Sequence, residues 1–525
     1  MPDQEIELKF EVDAATAGKL EQVLIVRPGA KGPPRPKSLV SSYYDTPDCA
    51  LMKAGLGLRI REVEGRRIQT LKSEPKGLSA RGEWETELDG PNDGQAQTLD
   101  FEALQDTPAE ALLYKIKDAL RPVFATRVER TVYAVRQGRS KIEAAIDRGR
   151  VEAGDRALEL CELELELKSG PQQGLYALAK RLSEAAPLRL SFVSKAERGY
   201  RVLGGQTTAE AIKPAKVRLE PGMTTRQAFQ AIAASALRQW AGNAGVLASA
   251  RRPEALHQMR VALRRLRTAM KLFEPVVADD AFRRLNEELD WLAGELDLGR
   301  DTDVLIEETF RPAARRLHQQ TGMSGLGERL LKARTRAYDR VIEVLGQPRH
   351  LALVLDMAAW IDCGRWADPA DPHHGPLADR PAEAMAKEGL TKLRRQIRKR
   401  GKHLKGLDPE RRHRLRIRAK RLRYALEFFA GLYEDDQGRL QAMLKALRGL
   451  QEGLGVLNDL EVAQGKGLAL AEGGGRAAGD SEVEGVQEAY AIGLAVGLRL
   501  TGTTDLLDRA AKDYDALMVV KPFWR

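Results

Sequence analysis

Residues 5–9 read "EIELK" and residues 162–168 read "ELELELK". A charge repeat of two residues fits a strand and no helix, because successive strand side chains point to opposite faces. Glu5, Glu7 and Lys9 therefore share one face, with Ile6 and Leu8 on the other. Glu162, Glu164, Glu166 and Lys168 likewise share a face against three leucines. The same period sets Arg59 beside Arg61 in "LRIR" and Glu143 in phase with Asp147 in "IEAAID". One such strand is an ordinary strand with a wet face. Several together need more, since like carboxylates two residues apart repel unless cations stand between them. Here rows of acid accompany rows of Arg and Lys with the same alternation. A sheet closed into a barrel of about eight strands has an interior that holds a small ligand. Such a lumen offers carboxylates to hard divalent cations and guanidinium or ammonium groups to phosphate oxygens. Hydrolysis of a short polyphosphate needs that combination.

The alternating runs are confined to the first 200 or so of 525 residues, too long a chain for one ordinary domain. They include "LGLRIRE", "RIQTLKS", "EWETEL" and "RVERTVYAV", separated by turn-like stretches such as "VRPGAKGPPRPK" and "DGPNDG". A break rich in Gly, Thr and Pro follows over residues 205–221, and from Thr224 the periodicity is helical. The expected fold is a two-domain α+β chain: a β-barrel domain over 1–204, a linker over 205–221 and an all-α domain over 222–520.

The helical half repeats itself. "HQMRVALRRLRTAMKLF" (257–273) aligns with "HRLRIRAKRLRYALEFF" (413–429), seven of 17 columns being identical. The same offset of 156 residues pairs Gly299 with Gly455 and Asp303 with Asp459, with no gap between the two motifs. Two copies of one helical unit explain this. A step of 100° per residue puts Met259, Leu263, Leu266, Met270 and Phe273 in an apolar stripe, beside a basic stripe of Arg260, Arg264, Arg267 and Lys271. Arg416, Lys420 and Arg423 repeat the basic stripe in the second copy. Solvated helix faces mix their charges at i,i+4, whereas these are nearly all positive, which suits a polyanion.

Net charge sharpens that point. Residues 1–204 hold 32 Lys and Arg against 32 Asp and Glu, so the whole excess of +10 lies beyond them. Residues 392–423 alone hold 16 basic side chains against Asp408 and Glu410. Cys49, Cys161 and Cys363 have no metal-like or disulfide-like spacing, as in a reducing cytoplasm. Neither a secretory leader nor an apolar run of about 18 residues is visible, so a cytoplasmic protein without membrane partners is expected.

The first half resembles the CYTH superfamily, the triphosphate tunnel metalloenzymes. Glu5, Glu7 and Lys9 match its E-x-E-x-K strand, and "YYDTPD", "GLRIR", "TLK", "RTVY", "ELELELK" and "SKAERGY" follow in order from about residue 4 to about 203. The resemblance implies a tunnel with Glu5, Glu7, Asp147, Glu162 and Glu164 as the metal group, holding Mg²⁺ or Mn²⁺. It implies Lys9, Arg59, Arg61, Lys72, Arg130 and Lys195 as the catalytic group that binds triphosphate. Glu166, Lys168, Glu85 and Glu87 are further members of the same rows. Inorganic, thiamine and RNA 5′-triphosphatases and a class of adenylate cyclases share this tunnel, so the motif leaves the substrate open.

The second half resembles the CHAD domain, the conserved-histidine α-helical domain, through its paired H-x-x-R-x-x-x-R/K-R-x-R helices over roughly 220–520. The resemblance implies two four-helix bundles related by a pseudo-twofold axis, around a basic channel for inorganic polyphosphate. By position, the binding group is His257, Arg260, Arg264, Arg267, His413, Arg416, Lys420 and Arg423. Ala262 stands where the second copy has Arg418, so the halves need not bind equally. The leading expectation is a metal-dependent inorganic triphosphatase acting on tripolyphosphate, joined to a module that binds polyphosphate or targets it to granules. The alternatives are nucleotide or thiamine triphosphate chemistry in the same tunnel, and a non-catalytic receptor for polyphosphate or nucleic acid. Few aromatic residues (5%) and the lack of a recognised nucleic-acid motif weigh against the nucleotide and nucleic-acid readings.

Overall fold

The computed structural model describes residues 3–25, 34–74, 77–88, 99–206, 210–317, 322–473, 482–500 and 503–524. Most of the expected turn at 26–37 and all of that at 89–94 lie outside them. The strands are β1 (Asp3–Glu11), β2 (Lys37–Asp45), β3 (Leu56–Val63), β4 (Arg66–Ser73), β5 (Ala80–Leu88), β6 (Arg121–Gln137), β7 (Ser140–Ala153), β8 (Arg156–Ser169) and β9 (Arg189–Ser191). With them stand α1 (Ala14–Ile25), α2 (Ala50–Lys53), α3 (Glu110–Ile116), α4 (Gln173–Ala185) and α5 (Lys195–Leu203).

The sheet runs β5-β4-β3-β2-β6-β7-β8-β1, every described ladder is antiparallel, and β5 pairs back onto β1. That last ladder closes an eight-stranded barrel. It spans only Asp3–Ile6, and β9 takes over the same edge of β1 at Lys9–Glu11. The expected barrel is present.

Its lining is polar and its outer surface apolar. Leu58, Ile60 and Leu71 look outward and join Leu51 of α2 and Leu113 of α3 in a buried cluster. Arg59, Arg61 and Lys72, the alternate residues, line the interior. The period of two is thus used in full: one phase buries the barrel under its helices and the other charges its lumen.

The remaining helices are α6 (Thr225–Ser249), α7 (Pro253–Val277), α8 (Asp280–Val304), α9 (Arg311–Arg316), α10 (Met323–Gly346), α11 (Pro348–Cys363), α12 (Gly375–Ala378), α13 (Ala382–Arg400), α14 (Pro409–Phe428), α15 (Gln437–Gly473), α16 (Glu482–Leu500) and α17 (Thr503–Val519). None of the described helices is long and apolar enough to cross a membrane. Local sequence sets their starts. Pro253 and Pro409 open α7 and α14, and the Asp408 carboxylate accepts the Arg411 amide at 2.7 Å. Phe229, Phe273 and Phe429 pack ring against ring, with Trp366 edge-on to Phe229.

The chain divides into two compact units. The first holds residues 1–212 together with 237–250 and 345–365; the second holds 213–236, 251–344 and 366–525. Within the first unit, Asp362 of α11 explains why a helical segment belongs with the barrel. Its buried carboxylate accepts hydrogen bonds from Ser79 Oγ at 2.6 Å, Tyr176 Oη at 2.7 Å and Gln172 Nε2 at 3.0 Å. The Ser79 carbonyl in turn accepts the Glu7 amide at 2.9 Å, so the turn before β5 is fixed from two sides. Asp362→Ala leaves the buried Ser79 and Tyr176 hydroxyls without their acceptor, while Gln172 Nε2 keeps Ser79 Oγ at 2.7 Å. The expected cost is about 2–4 kcal/mol, read as a lowered midpoint in urea at unchanged m-value.

Candidate functional site

The barrel ladders set acid against base. Directly opposed residues include Glu5 and Arg81, Lys72 and Glu83, Lys9 and Glu164, and Arg130 and Asp147. Elsewhere acid opposes acid: Glu7 and Glu143 each face Glu166, Glu11 faces Glu162, and on the other side of Glu162 stands Asp147. With Glu164, two residues along β8, Asp147 and Glu162 make a buried trio whose carboxylate oxygens lie within 4.8 Å of one another. At an effective dielectric constant of ~20, two such charges repel by about 3 kcal/mol.

Cations relieve the repulsion. Arg130 grips Asp147 with two donors, at 2.7 and 2.6 Å, and also donates to Glu164. Lys195, the first residue of α5 behind its N-cap Ser194, reaches Asp147 at 2.7 Å, Glu164 at 3.0 Å and Glu162. Lys9 lies 2.8 Å from Glu164, 3.8 Å from Glu7 and 4.0 Å from Glu162. Burial pushes the Asp147 and Glu164 carboxyl groups up, but Lys195 and Arg130, with Lys9 at Glu164, hold Asp147 below and Glu164 well below the usual range. Burial likewise pulls the Lys9 and Lys195 ammoniums down, and the surrounding carboxylates carry both above the ordinary lysine value.

The other two expected metal residues sit apart from the trio. Glu5 accepts from Arg81 Nε at 2.7 Å and Lys72 at 2.8 Å, and Glu7 accepts from Arg81 Nη2 at 2.5 Å. Against burial, Lys72 and Arg81 hold Glu5 well below the usual carboxylate range. Lys72 also pairs with Glu83 at 2.8 Å. The expected group of five thus divides into a carboxylate trio and a pair bound by Arg81.

All ten lining residues among the expected metal and triphosphate groups face one cavity of about 520 Å³: Glu5, Glu7, Lys9, Arg59, Arg61, Lys72, Arg130, Asp147, Glu164 and Lys195. Glu162 lies fully buried behind them. Glu85, Glu166 and Lys168 line the same space, whereas Glu87 is exposed, 4.0 Å from Arg66. Arg81 and Glu83 went unnoticed in the sequence, although "ARGEWETEL" places them in phase with Glu85. Glu11 and Arg198 were missed as well. Glu11 continues the phase of Glu5, Glu7 and Lys9, and Arg198 donates to it at 2.8 Å.

Arg59 differs from its neighbours. It is buried, its nearest carboxylate, Glu83, is 4.0 Å away, and its Nε and Nη2 have no acceptor. Arg61 makes no ion pair among the described residues. The "YYDTPD" match is scaffold in part, since Asp45 accepts the amides of Leu51 and Met52 and the Tyr200 hydroxyl.

In the second unit, α7 and α14 present the expected basic stripes. Two members of the α7 stripe are answered from α8, which corrects its reading as unrelieved positive charge. Arg260 pairs with Asp297 and lies 3.8 Å from Asp301, and Arg267 pairs with Asp290. Arg264 Nε donates to the Arg260 carbonyl at 3.4 Å. His257 is half-buried, and burial with Arg300 beside it pulls its imidazole down to about 4. On α14, His413 contacts Asn458, and Arg423 donates to Gln451 at 3.0 Å and Glu427 at 2.7 Å. Arg416 lies over Gly455 of α15, and Lys420 is half-buried on the same helix. Asp303 bridges to α10 through Arg334 at 2.9 Å and Tyr338 at 2.6 Å, not to the basic helix. The Asp459 side chain lies outside those described.

Comparison with known proteins follows the same division. The CYTH domain family matches residues 3–200 and the CHAD domain family matches residues 231–466. Over 204 residues the chain is 34% identical to the inorganic triphosphatase of Haemophilus influenzae, an alignment covering 38% of this chain and 54% of that protein. The chain therefore spans about half the length of that relative. The crystal structure of the CHAD domain from the plant Ricinus communis is similar at 30% identity and a TM-score of 0.50, over 59% of this chain and 98% of that one. By its tunnel strands and its paired basic helices alike, this chain belongs to the proteins that join a CYTH domain, here residues 3–200, to a CHAD domain, here residues 231–466.

Proposed function

We propose that the barrel is a metal-dependent inorganic triphosphatase acting on tripolyphosphate, and that the helical domain binds inorganic polyphosphate. The observation that carries the first part is the meeting, in one cavity, of a carboxylate trio and a buried guanidinium with unused donors. The trio fits a divalent metal. Its donors are all hard carboxylate oxygens, and Glu162 Oε2 is buried without a hydrogen-bond partner, its nearest cation being Arg198 at 3.6 Å. Mg²⁺ or Mn²⁺ suits such a set, and when bound supplies charge neutralisation at the phosphate oxygens and activation of water.

The chain's own residues do the rest. Arg59 and Arg61 donate to phosphate oxygens, with Lys72 and Arg81 as further cations along the wall. Lys9 and Lys195 stay protonated in neutral water, so neither is a base, and both offset charge on the departing phosphate. Burial pushes the Glu83 and Glu166 carboxyl groups of the lining up. The helical domain, holding a long chain, raises the local concentration of phosphate ends or places the enzyme at polyphosphate deposits in the cytoplasm.

The test is phosphate release from tripolyphosphate with Mg²⁺ or Mn²⁺, with ATP, thiamine triphosphate and long-chain polyphosphate run in parallel. Wild type is expected to turn over tripolyphosphate only with metal, and Glu7→Gln and Lys9→Ala to lose that activity. Turnover of ATP in preference would move the reading to nucleotide chemistry. No turnover of any of the four would leave a receptor.

A further inference from the structure

The two halves of the helical domain repeat in sequence but not in charge. Helix α8 carries eight acidic residues against three basic, and Asp290, Asp297 and Asp301 answer the arginines of α7. At the repeat offset these three positions become Ala446, Gly453 and Leu457 on α15, none of them charged. Residues 437–458 hold one acidic side chain against three basic. Helix α14 holds eight basic residues where α7 has five, with two acidic residues on each. The second half has more cations and fewer answers to them.

The contact between α7 and α14 shows the same inequality atom by atom. Arg265 of α7 is buried, 3.1 Å from Glu427, with its guanidinium 5.0 Å above the Phe428 ring and 5.9 Å from that of Tyr424. Its repeat mate is Arg421 of α14. The mates of Tyr424, Glu427 and Phe428 on α7 are Thr268, Lys271 and Leu272, so every partner of Arg265 is replaced and the carboxylate has become an ammonium. Arg421 accordingly has no carboxylate partner among the described residues, and burial and Arg267 both pull its guanidinium down. One turn earlier, Arg418 stands where the first half has Ala262. It donates to the neutral Gln396 at 2.7 Å, its Nε is buried without an acceptor, and its charged neighbours are Arg400 and Arg421. Arg418 thus has Arg400 and Arg421 as neighbours and Arg421 has Arg267, and among the described residues only Arg267 of the four has a carboxylate partner.

We propose that Arg418 and Arg421, flanked by Arg400 and Arg267, form an anion subsite of the second half that takes successive phosphates of inorganic polyphosphate, and that this half supplies most of the domain's affinity. The proposal rests on the polyphosphate reading of the helical domain. A base-free polyanion is favoured over nucleic acid because Tyr424 and Phe428 of α14 are buried and α13 has no aromatic residue, so these two helices offer a base no exposed aromatic ring to stack on.

The test measures binding of long-chain polyphosphate to the full chain by calorimetry at several salt concentrations. Arg418→Gln/Arg421→Gln is expected to weaken binding about tenfold or more and to flatten the salt dependence by about one to two counterions. Arg260→Gln, whose native arginine is answered by Asp297 and Asp301 of α8, is expected to weaken it less. Lys271→Glu offers Arg421 the carboxylate that Arg265 already has. It is expected to raise the melting temperature while weakening binding, a combination that misfolding does not produce. Wild-type binding with Arg418→Gln/Arg421→Gln unchanged overturns the subsite alone, whereas absence of wild-type binding overturns the reading beneath it. Single-stranded DNA of equal charge bound as tightly, and lost in the same variant, overturns the assignment to polyphosphate.

Discussion

Asp147→Asn is expected to lower the proposed metal-dependent phosphate release from tripolyphosphate by about 10³-fold or more. The side chain keeps its shape and loses its charge, so the change removes one of three hard anionic donors from a fully buried trio. Metal stabilisation of transferring phosphate is worth several kcal/mol, which corresponds to that factor in rate. Titration with Mn²⁺ should show weakened metal binding in parallel. Stability falls too, because Arg130 and Lys195 lose their shared anion, and breaking one partner of a buried ionic group costs about 3–5 kcal/mol. The pH dependence identifies the cause. Asp147 is held below its unfolded value, so its contribution is fully present above the unfolded pKa of about 4 and is lost as pH falls through the folded one. The stability gap between wild type and Asp147→Asn should therefore be widest near pH 7 and shrink steadily below pH 4. A gap that is flat with pH, or activity retained with metal, would remove Asp147 from the site.

How much of this was legible in advance differs between the two halves. The barrel and its polar lumen followed from "EIELK", "LRIR" and "ELELELK", because a strand's period of two assigns every side chain to a face without knowledge of its neighbours. Which acid meets which base did not follow, because that is set by ladder register. Glu5 opposite Arg81 joins strands about 75 residues apart in sequence. Arg81 and Glu83 went unseen for that reason, although their phase within β5 was readable. In the helical half the repeat and both basic stripes were readable from a period of 3.6. Their relief was not, because Asp290, Asp297 and Asp301 sit on a second helix whose facing depends on packing. The Ala262 to Arg418 difference was one trace of inequality between the halves visible before the helices were placed.

Arg59→Met is expected to lower kcat/KM for tripolyphosphate by about 10²–10³, with little change in the stability of the ligand-free protein. Two charge-assisted hydrogen bonds to phosphate, at about 1.5–3 kcal/mol each, account for the loss. Their absence in the ligand-free state accounts for the stability: Nε and Nη2 of Arg59 already lack acceptors, so its removal costs only the hydrogen bond with Tyr43 and the long contact with Glu83. Methionine is near enough in length to fill the space, and the expected change is within about 1 kcal/mol. Arg81→Met makes the opposite case. Its nitrogens are taken by Glu5 and Glu7, and removing it leaves two inward carboxylates in mutual repulsion. That variant should unfold at markedly lower urea, and its loss of activity should follow its loss of fold. A cation already committed to carboxylates must give them up to hold phosphate, whereas an uncommitted one gains its acceptors only when substrate enters. Measuring both variants by urea titration and by steady-state kinetics separates the two roles. Equal destabilisation of both would mean that Arg59 is scaffold, and that the phosphate-binding wall must be sought at Arg61 and Lys72.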